Sequence, residues 1–414
     1  MSLGWDGWGL SLWRLDSSVF FSVILKPLTS ELDWSRSQVT GAVTLATIAA
    51  ALMAPISGVL VDRYGPRILA PVGATIVALA MVAIGQVQSL FVFYVAYVVA
   101  RGFSSATVTG VVSQTLAANW FRRMRGRSFG LLSMCVPLGG AFAAIAAQPL
   151  IDAHGWRSVF VVFPPIIFVC FAIPALLIYR RRPEDIGLLP DGAAPGSVAG
   201  GGGRGTEAVE DNWTLAEAIR TRTLWLLAGG NTIGTLTGGA VSFHLVAYYT
   251  DKGMSAEVGA LAVSLYALFG AVASLIWGFL IERVPERVLL VTAAMTAGLT
   301  LLLMVLVQSP VPGLLVAALY GTAARGEGAL VNTIMANYYG RASFGRIVGF
   351  VSPFTSAALG IGPLIASLTF DTTGSYDGVM TVFGFVSIGA AFLLWFARRP
   401  VRQSVVAVPA GDAL

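Results

Sequence analysis

The chain has 414 residues, of which 56% are apolar and only 11% charged, and its mean hydropathy is +0.78. Such a composition excludes an ordinary soluble domain and describes a membrane protein. The net charge of +5 comes from arginines placed in particular loops and calls for no nucleic-acid partner.

Charged residues cluster at short intervals and leave apolar runs of roughly 20 residues, the length a helix needs to cross a hydrocarbon core about 30 Å thick. These runs are too long and too continuously apolar for the strands of an outer-membrane barrel. The first candidate span, Leu3 to Leu25, contains Asp6, Arg14 and Asp16. Two readings stay open for it: a functional helix with a buried Arg14/Asp16 pair, or the remainder of a segment that begins upstream. Asp6 comes early and no basic start precedes an apolar core, so no cleavable signal peptide is expected.

A polar loop from Lys26-Pro27-Leu28 to Asp33-Trp34-Ser35-Arg36-Ser37 leads into a second span at about 38–61. Spans three to six follow at about 68–87, 90–118, 128–150 and 159–179. Hydropathy then collapses from Arg180 to Arg222, where Arg180-Arg181-Arg182-Pro183-Glu184-Asp185 precedes a Gly/Ala/Pro-rich tract at 192–205; this composition is that of a flexible linker. Spans seven to twelve are expected at about 223–248, 256–281, 288–308, 311–338, 344–369 and 378–397. The expected organisation is a bundle at 1–179, a linker at 180–222, a second bundle at 223–397 and a tail at 398–414. Cys135 and Cys170 lie inside apolar runs and read as small buried hydrophobes with no disulfide.

The two bundles are copies of one plan. Gly58-Val-Leu-Val-Asp62-Arg63-Tyr-Gly65-Pro66-Arg67 returns as Gly278-Phe-Leu-Ile-Glu282-Arg283-Val-Pro-Glu-Arg287, with the glycine, the acid and both arginines at a constant offset of 220. Ala118-Asn119-Trp120-Phe121 matches Ala336-Asn337-Tyr338-Tyr339 at an offset of 218, and Asp152-x-x-Gly155 matches Asp371-x-x-Gly374 at 219. The fold class expected is therefore an all-α membrane protein of twelve transmembrane helices in two six-helix repeats. Of the 26 basic residues, Arg14, Arg101 and Arg325 lie within spans; nineteen fall on one set of alternate loops, the linker and the tail, and only Lys26, Arg36, Arg157 and Lys252 on the other. This bias puts the motif loops and the C-terminus in the cytoplasm.

Ionisable groups at membrane depth are expensive and are functional candidates by default. Arg101 and Arg325 lie near the middles of spans four and ten, about one helical turn apart once the repeat offset is applied. A cation in a water-filled cleft suits a carboxylate, which a guanidinium grips with two parallel hydrogen bonds; a structural arginine bonded to helix carbonyls is the alternative for Arg101. Asn332 shares the face of Arg325, and Tyr97, Ser105 and Thr109 extend that of Arg101. In span seven Asn231, Thr235 and Ser242 form an approximate stripe below His244, which is either a proton relay or an interfacial structural group. Glu327 lies about 200° round the helix from Arg325, so the two do not share a face. Glu327 and Asp16 are the candidate proton carriers. Glycine pairs crowd spans five, seven and eleven and suit close packing between helices that rock.

Neither a P-loop nor a metal-spaced Cys/His cluster is present, and the chain has only two histidines, so ATP-driven pumping, metal chemistry and a bound cofactor are not expected. With nearly all residues outside the linker in apolar runs, there is no room for an enzyme domain. The charged turn Gly58 to Arg67 resembles the signature loop of the major facilitator superfamily of secondary transporters. Lys26-Pro27-Leu28 with Asp33 to Ser37, and Arg182-Pro183-Glu184-Asp185-Ile-Gly187-Leu-Leu-Pro190-Asp191-Gly192, are similar to bacterial relatives of the monocarboxylate porters and oxalate/formate carriers.

That resemblance implies transport of a small organic anion by alternating access, coupled to a proton, by a monomer in the cell membrane. It also implies that Gly58, Asp62, Arg63, Gly65, Arg67, Gly278, Glu282, Arg283 and Arg287 form cytoplasmic latches, the first copy being the stronger because the second lacks the glycine of Gly65. The chain departs from the family in having no cation within the cores of spans eight and eleven, which leaves Arg101 and Arg325 to bind the anion. An exporter of amphipathic compounds and a non-transporting membrane protein are the alternatives.

Overall fold

The computed structural model describes Ile24 and residues 27–108, 110–192 and 212–401. The first span, with Arg14 and the predicted proton carrier Asp16, lies outside these residues apart from Ile24, as do Lys26 and Thr109.

Each of the other eleven predicted spans is helical. Helix α1 (Arg36–Tyr64) opens on a capping box in which the Ser35 hydroxyl accepts from the Gln38 amide at 3.1 Å and the Gln38 side chain accepts from the Ser35 amide at 2.8 Å, satisfying two donors that a helix start leaves open. It ends at Gly65, whose φ of +80° is reached without strain only by a residue lacking Cβ. Pro66 then starts α2 (Pro66–Gly85), where the missing N–H costs nothing.

The fourth span was expected to be continuous and is not. Helix α3 (Leu90–Phe103) passes into a π turn at Ser104–Val108, and α4 (Val111–Trp120) restarts after Gly110. The sequence from Gly102 to Gly110 combines glycine, serine and threonine, and the Thr107 hydroxyl donates to its own helix at the Phe103 carbonyl (2.7 Å). Such residues compete with the backbone for its hydrogen bonds and bend helices. Helix α5 (Arg125–His154) follows. The sixth span has α6 (Val159–Ile167), a π turn at Phe168–Ala172 and α7 (Ile173–Ile178), because Pro164, Pro165 and Pro174 each remove an N–H from the ladder.

Beyond the linker, the short α8 (Leu215–Ile219) precedes α9 (Arg222–Asp251), α10 (Ala256–Leu280), α11 (Glu286–Leu306), α12 (Pro310–Tyr339), α13 (Phe344–Thr373) and α14 (Asp377–Leu394). Seven described helices are long and apolar enough to cross a membrane; the spans carried by α3–α4, α5, α9 and α12 are diluted by glycine, hydroxyl groups and the internal charges. Many large apolar side chains point outward, among them Leu52, Phe91, Ile145, Leu306 and Phe392. Lipid is the solvent that accepts them.

Within the second bundle α10 packs on α12, α9 on α13 and α11 on α14. The bundles meet where α1 crosses α13 and α5 crosses α10. Backbones touch at these crossings: a Cβ on Gly58 would overlap the Gly345 carbonyl, and one on Gly126 the Gly278 carbonyl. Small residues permit that approach, which is how membrane helices gain contact without a hydrophobic driving force.

Candidate functional site

Two acids tie the bundles together at the face that carries the motif loops. Asp62, at the end of α1, accepts hydrogen bonds from the amides of Gly345 (3.3 Å) and Arg346 (3.0 Å) at the start of α13, with the Arg346 Nε 3.8 Å away. Glu282, just past α10, accepts from the Arg127 amide (3.3 Å) at the start of α5 and pairs with the Arg127 guanidinium at 2.7 Å. Each acid therefore neutralises the positive end of a helix belonging to the other bundle.

The sequence predicted the first copy to hold more firmly, yet the shorter ion pair is in the second. The longer glutamate reaches the guanidinium of Arg127, whereas aspartate stays buried beneath the two amides. Gly65 instead packs against Arg181, whose guanidinium donates to the Asp62 carbonyl. Arg67 donates to the Leu176 carbonyl at 3.0 Å, while Arg63 and Arg287 lie over the rings of Tyr64 and Trp395. Arg283 is exposed and its amide donates to the Leu280 carbonyl at 2.9 Å.

Residues that the sequence left in a loop complete this face. Buried Arg125 donates to the carbonyls of Phe121 (2.8 Å) and Ala336 (2.9 Å) and to the Asn337 side chain (3.2 Å). Arg341 returns the contact by donating to the Asn119 carbonyl (3.0 Å) and pairing with Glu184. Burial opposes ionisation of Glu184, but the hydrogen bond and charge of Arg341 outweigh it and hold that carboxyl below its ordinary range. Asp191 accepts from the amides of Arg122, Arg123 and Met124. The repeat offset was the signal for part of this: 219 relates Gly126-Arg127 to Gly345-Arg346.

Deeper in the molecule the predicted binding residues separate into different environments. Arg101 is half-buried in the last turn of α3, directly before the π turn. Tyr97 is buried in the apolar core of the first bundle, stacked on Phe93 at 5.6 Å between ring centroids, so it supports α3 from behind. Asn231 and Asn332 are half-buried. The Thr235 and Ser242 hydroxyls donate to carbonyls of their own helix. His244 Nε2 lies 3.0 Å from the Pro363 carbonyl of α13, and its Nδ1 lies 3.2 Å from the hydroxyl of Tyr376, directly before α14; these contacts bind α9 to both, as an interfacial group does.

Arg325 is the exception. Its guanidinium carbon lies 5.2 Å from the centroid of the Tyr266 ring, its stem packs on Gly270 of α10, and its buried Nε has no hydrogen-bond partner among the described residues. Glu327 points the opposite way, with its carboxyl against Gly234 of α9. Arg325 and Glu327 are not paired, as the 200° separation requires. No cluster of side chains fit to hold a metal ion exists among the described residues.

Comparison with known proteins agrees with this architecture. A profile of the Major Facilitator Superfamily matches residues 9–264 and 227–412. Human monocarboxylate transporter 11 is 26% identical over 381 residues, covering 88% of this chain and 76% of that protein. The oxalate:formate antiporter of Oxalobacter formigenes is 24% identical over 64% of this chain and 59% of its own length. The multidrug resistance protein MdtG of Dickeya zeae is 25% identical over 86% of this chain and 83% of its own. Among solved structures, the transporter FucP in its outward conformation superposes with a TM-score of 0.72 at 12% identity, covering 97% of this chain and 99% of that one.

Proposed function

The chain belongs to the Major Facilitator Superfamily of transporters, and on that premise we propose that it carries a small, monocarboxylate-like organic anion by alternating access, with a proton as coupling ion. One observation carries the reading: a half-buried guanidinium at mid-helix, Arg325, whose Nε finds no protein acceptor among the described residues. A cation left in that condition at membrane depth calls for an anionic ligand, and a carboxylate matches the guanidinium fork. The likeness to a monocarboxylate transporter and to an oxalate:formate antiporter supports the same substrate class. Arg101, Asn231 and Asn332 are the further candidate contacts, and Glu327 is the proton carrier among the described residues.

In this reading the motif face is cytoplasmic, as the arginine bias requires, and the chain works as a monomer in the cell membrane. Residues 1–179 and 223–397 are the two moving bundles, with 180–222 the linker between them and 398–414 a cytoplasmic tail. The paired acids Asp62 and Glu282 close the cytoplasmic side and release it when the site opens inward.

Thermal unfolding of the purified protein against a panel of monocarboxylates tests the substrate class. Stabilisation by a carboxylate that disappears in Arg325→Gln is expected. Stabilisation by hydrophobic cations alone would make the protein an exporter of amphipathic compounds, the reading that the likeness to MdtG favours. For coupling, uptake of labelled substrate into proteoliposomes is expected to respond to an imposed pH gradient in the unmodified protein and not in Glu327→Gln. Unchanged gradient-driven uptake removes Glu327 from the mechanism.

A further inference from the structure

Glu327 and Ser387 are both buried, at 4% exposure each, and both line one small cavity between α9, α11, α12 and α14. Among the described residues the Ser387 hydroxyl has no hydrogen-bond partner, and no hydrogen bond reaches the Glu327 carboxyl. Thr237 of α9 lines the same space. The water-accessible volume is about 10 Å³, roughly the room one water molecule needs, and three oxygen-bearing side chains supply the two to four partners such a water requires.

A dehydrated metal cation would need more oxygens than these. Transporters that hold sodium recruit carbonyls from unwound helices, but α9, α11, α12 and α14 are regular around the cavity and spend their carbonyls on their own ladders. Across α12 the arrangement is quite different. Arg325 lies over Tyr266, the Tyr266 ring stacks on Tyr320 with centroids 5.9 Å apart and planes at 17°, and the Tyr320 hydroxyl donates to Thr237 at 3.5 Å. The line of contacts therefore runs from the guanidinium, through two buried rings, to the wall of the Glu327 cavity.

We infer that this cavity is a one-water proton site distinct from the anion site, and that the Tyr266–Tyr320 stack is the positioning element through which each site senses charge at the other. The inference rests on the proton-coupling reading and adds Ser387, Thr237, Tyr266 and Tyr320 to it. The residues that line the cavity from α9, α11 and α14 include no charged group. The titratable neighbours are Tyr320 on the same helix and Tyr266 of α10 stacked upon it, and Arg325 is the charge at the far end of the stack. A bound anion cancels the positive charge of Arg325, which favours the protonated form of Glu327. Anion and proton thus promote each other's binding, and by linkage the effect is reciprocal.

The test uses the full chain in lipid nanodiscs and no transported anion, so its failure is separate from failure of the anion reading. Infrared difference spectra are recorded across a pH titration, following the carbonyl band of a protonated carboxylic acid. The band is expected to vanish in Glu327→Gln, to change frequency in Ser387→Ala, and to persist in Arg325→Gln with its midpoint moved by about tenfold in proton concentration, within the usual range of coupling between sites. In Tyr266→Leu, which keeps the arginine but removes the ring beneath it, the further change Arg325→Gln is expected to move the midpoint much less. A band that survives Glu327→Gln overturns the site, as does one that sodium abolishes at constant pH. Equal midpoints with and without Arg325, or a full shift in the Tyr266→Leu background, overturn the link.

Discussion

Replacing Arg325 with glutamine is expected to weaken binding of a small monocarboxylate by about 10- to 150-fold, the equivalent of the roughly 1.5–3 kcal/mol that a hydrogen bond to a charged group contributes. The side chain is committed to its position on both sides. Its stem fills the space left by Gly270 and its guanidinium rests on the Tyr266 ring, so the fork is oriented before a ligand arrives and little rotamer entropy remains to be lost. Lysine is expected to recover only part of the affinity, because it restores the charge and not the planar pair of donors. Calorimetric titration of purified variants measures both effects. The thermal stability of each unliganded variant separates lost binding from lost folding. Unchanged carboxylate affinity in a folded Arg325→Gln protein would exclude this arginine from the site.

The second large effect concerns rate. Asp62→Asn keeps the shape of the side chain but replaces a charged acceptor with a neutral one beneath the amides of Gly345 and Arg346. Charge-assisted hydrogen bonds exceed neutral ones by about 1–2 kcal/mol, and the α13 dipole loses its counter-charge. The state closed at the motif face is therefore expected to lose roughly 5- to 30-fold in population relative to the open one. Turnover should change by a comparable factor while the intrinsic affinity of the anion site changes little. Cross-linking between cysteines placed at the ends of α1 and α13 reports the population, and transport assays report the rate. Loss of affinity at unchanged turnover would contradict the assignment of Asp62 to the latch.

Much of this architecture is legible in the sequence because the bilayer imposes it. A helix must satisfy its own backbone and must be apolar for about 20 residues, so the runs from Arg36 to Leu394 disclose themselves, and the offset of 220 discloses the repeat. The breaks in the fourth and sixth spans were hidden, since a π turn changes one ring of hydrogen bonds without altering hydropathy. Contacts between Asp62 and Gly345 join positions 283 residues apart, and nothing local in either segment identifies the other. The site was legible only in its charges. Arg325 and Glu327 stand out against apolar surroundings, whereas Tyr266, Tyr320 and Ser387 look like packing residues until their neighbours are known. Tyr97 shows the converse: helical spacing put it near Arg101, but its ring belongs to the core.

The exchange of acids across the motif face has a further consequence. Asp62 of the first bundle meets the helix start at 345–346, Glu282 of the second meets the start at 126–127, and repeat shifts of 220 and 219 relate acid to acid and start to start. Residue i touches j and the counterpart of j touches the counterpart of i, which is the self-complementary contact of an isologous two-fold dimer. A single six-helix unit already carries both halves of that contact. Joining both copies in one chain makes that association intramolecular, at a high effective concentration, and the two contacts need not be identical: one uses a buried aspartate, the other a longer glutamate with the shorter ion pair.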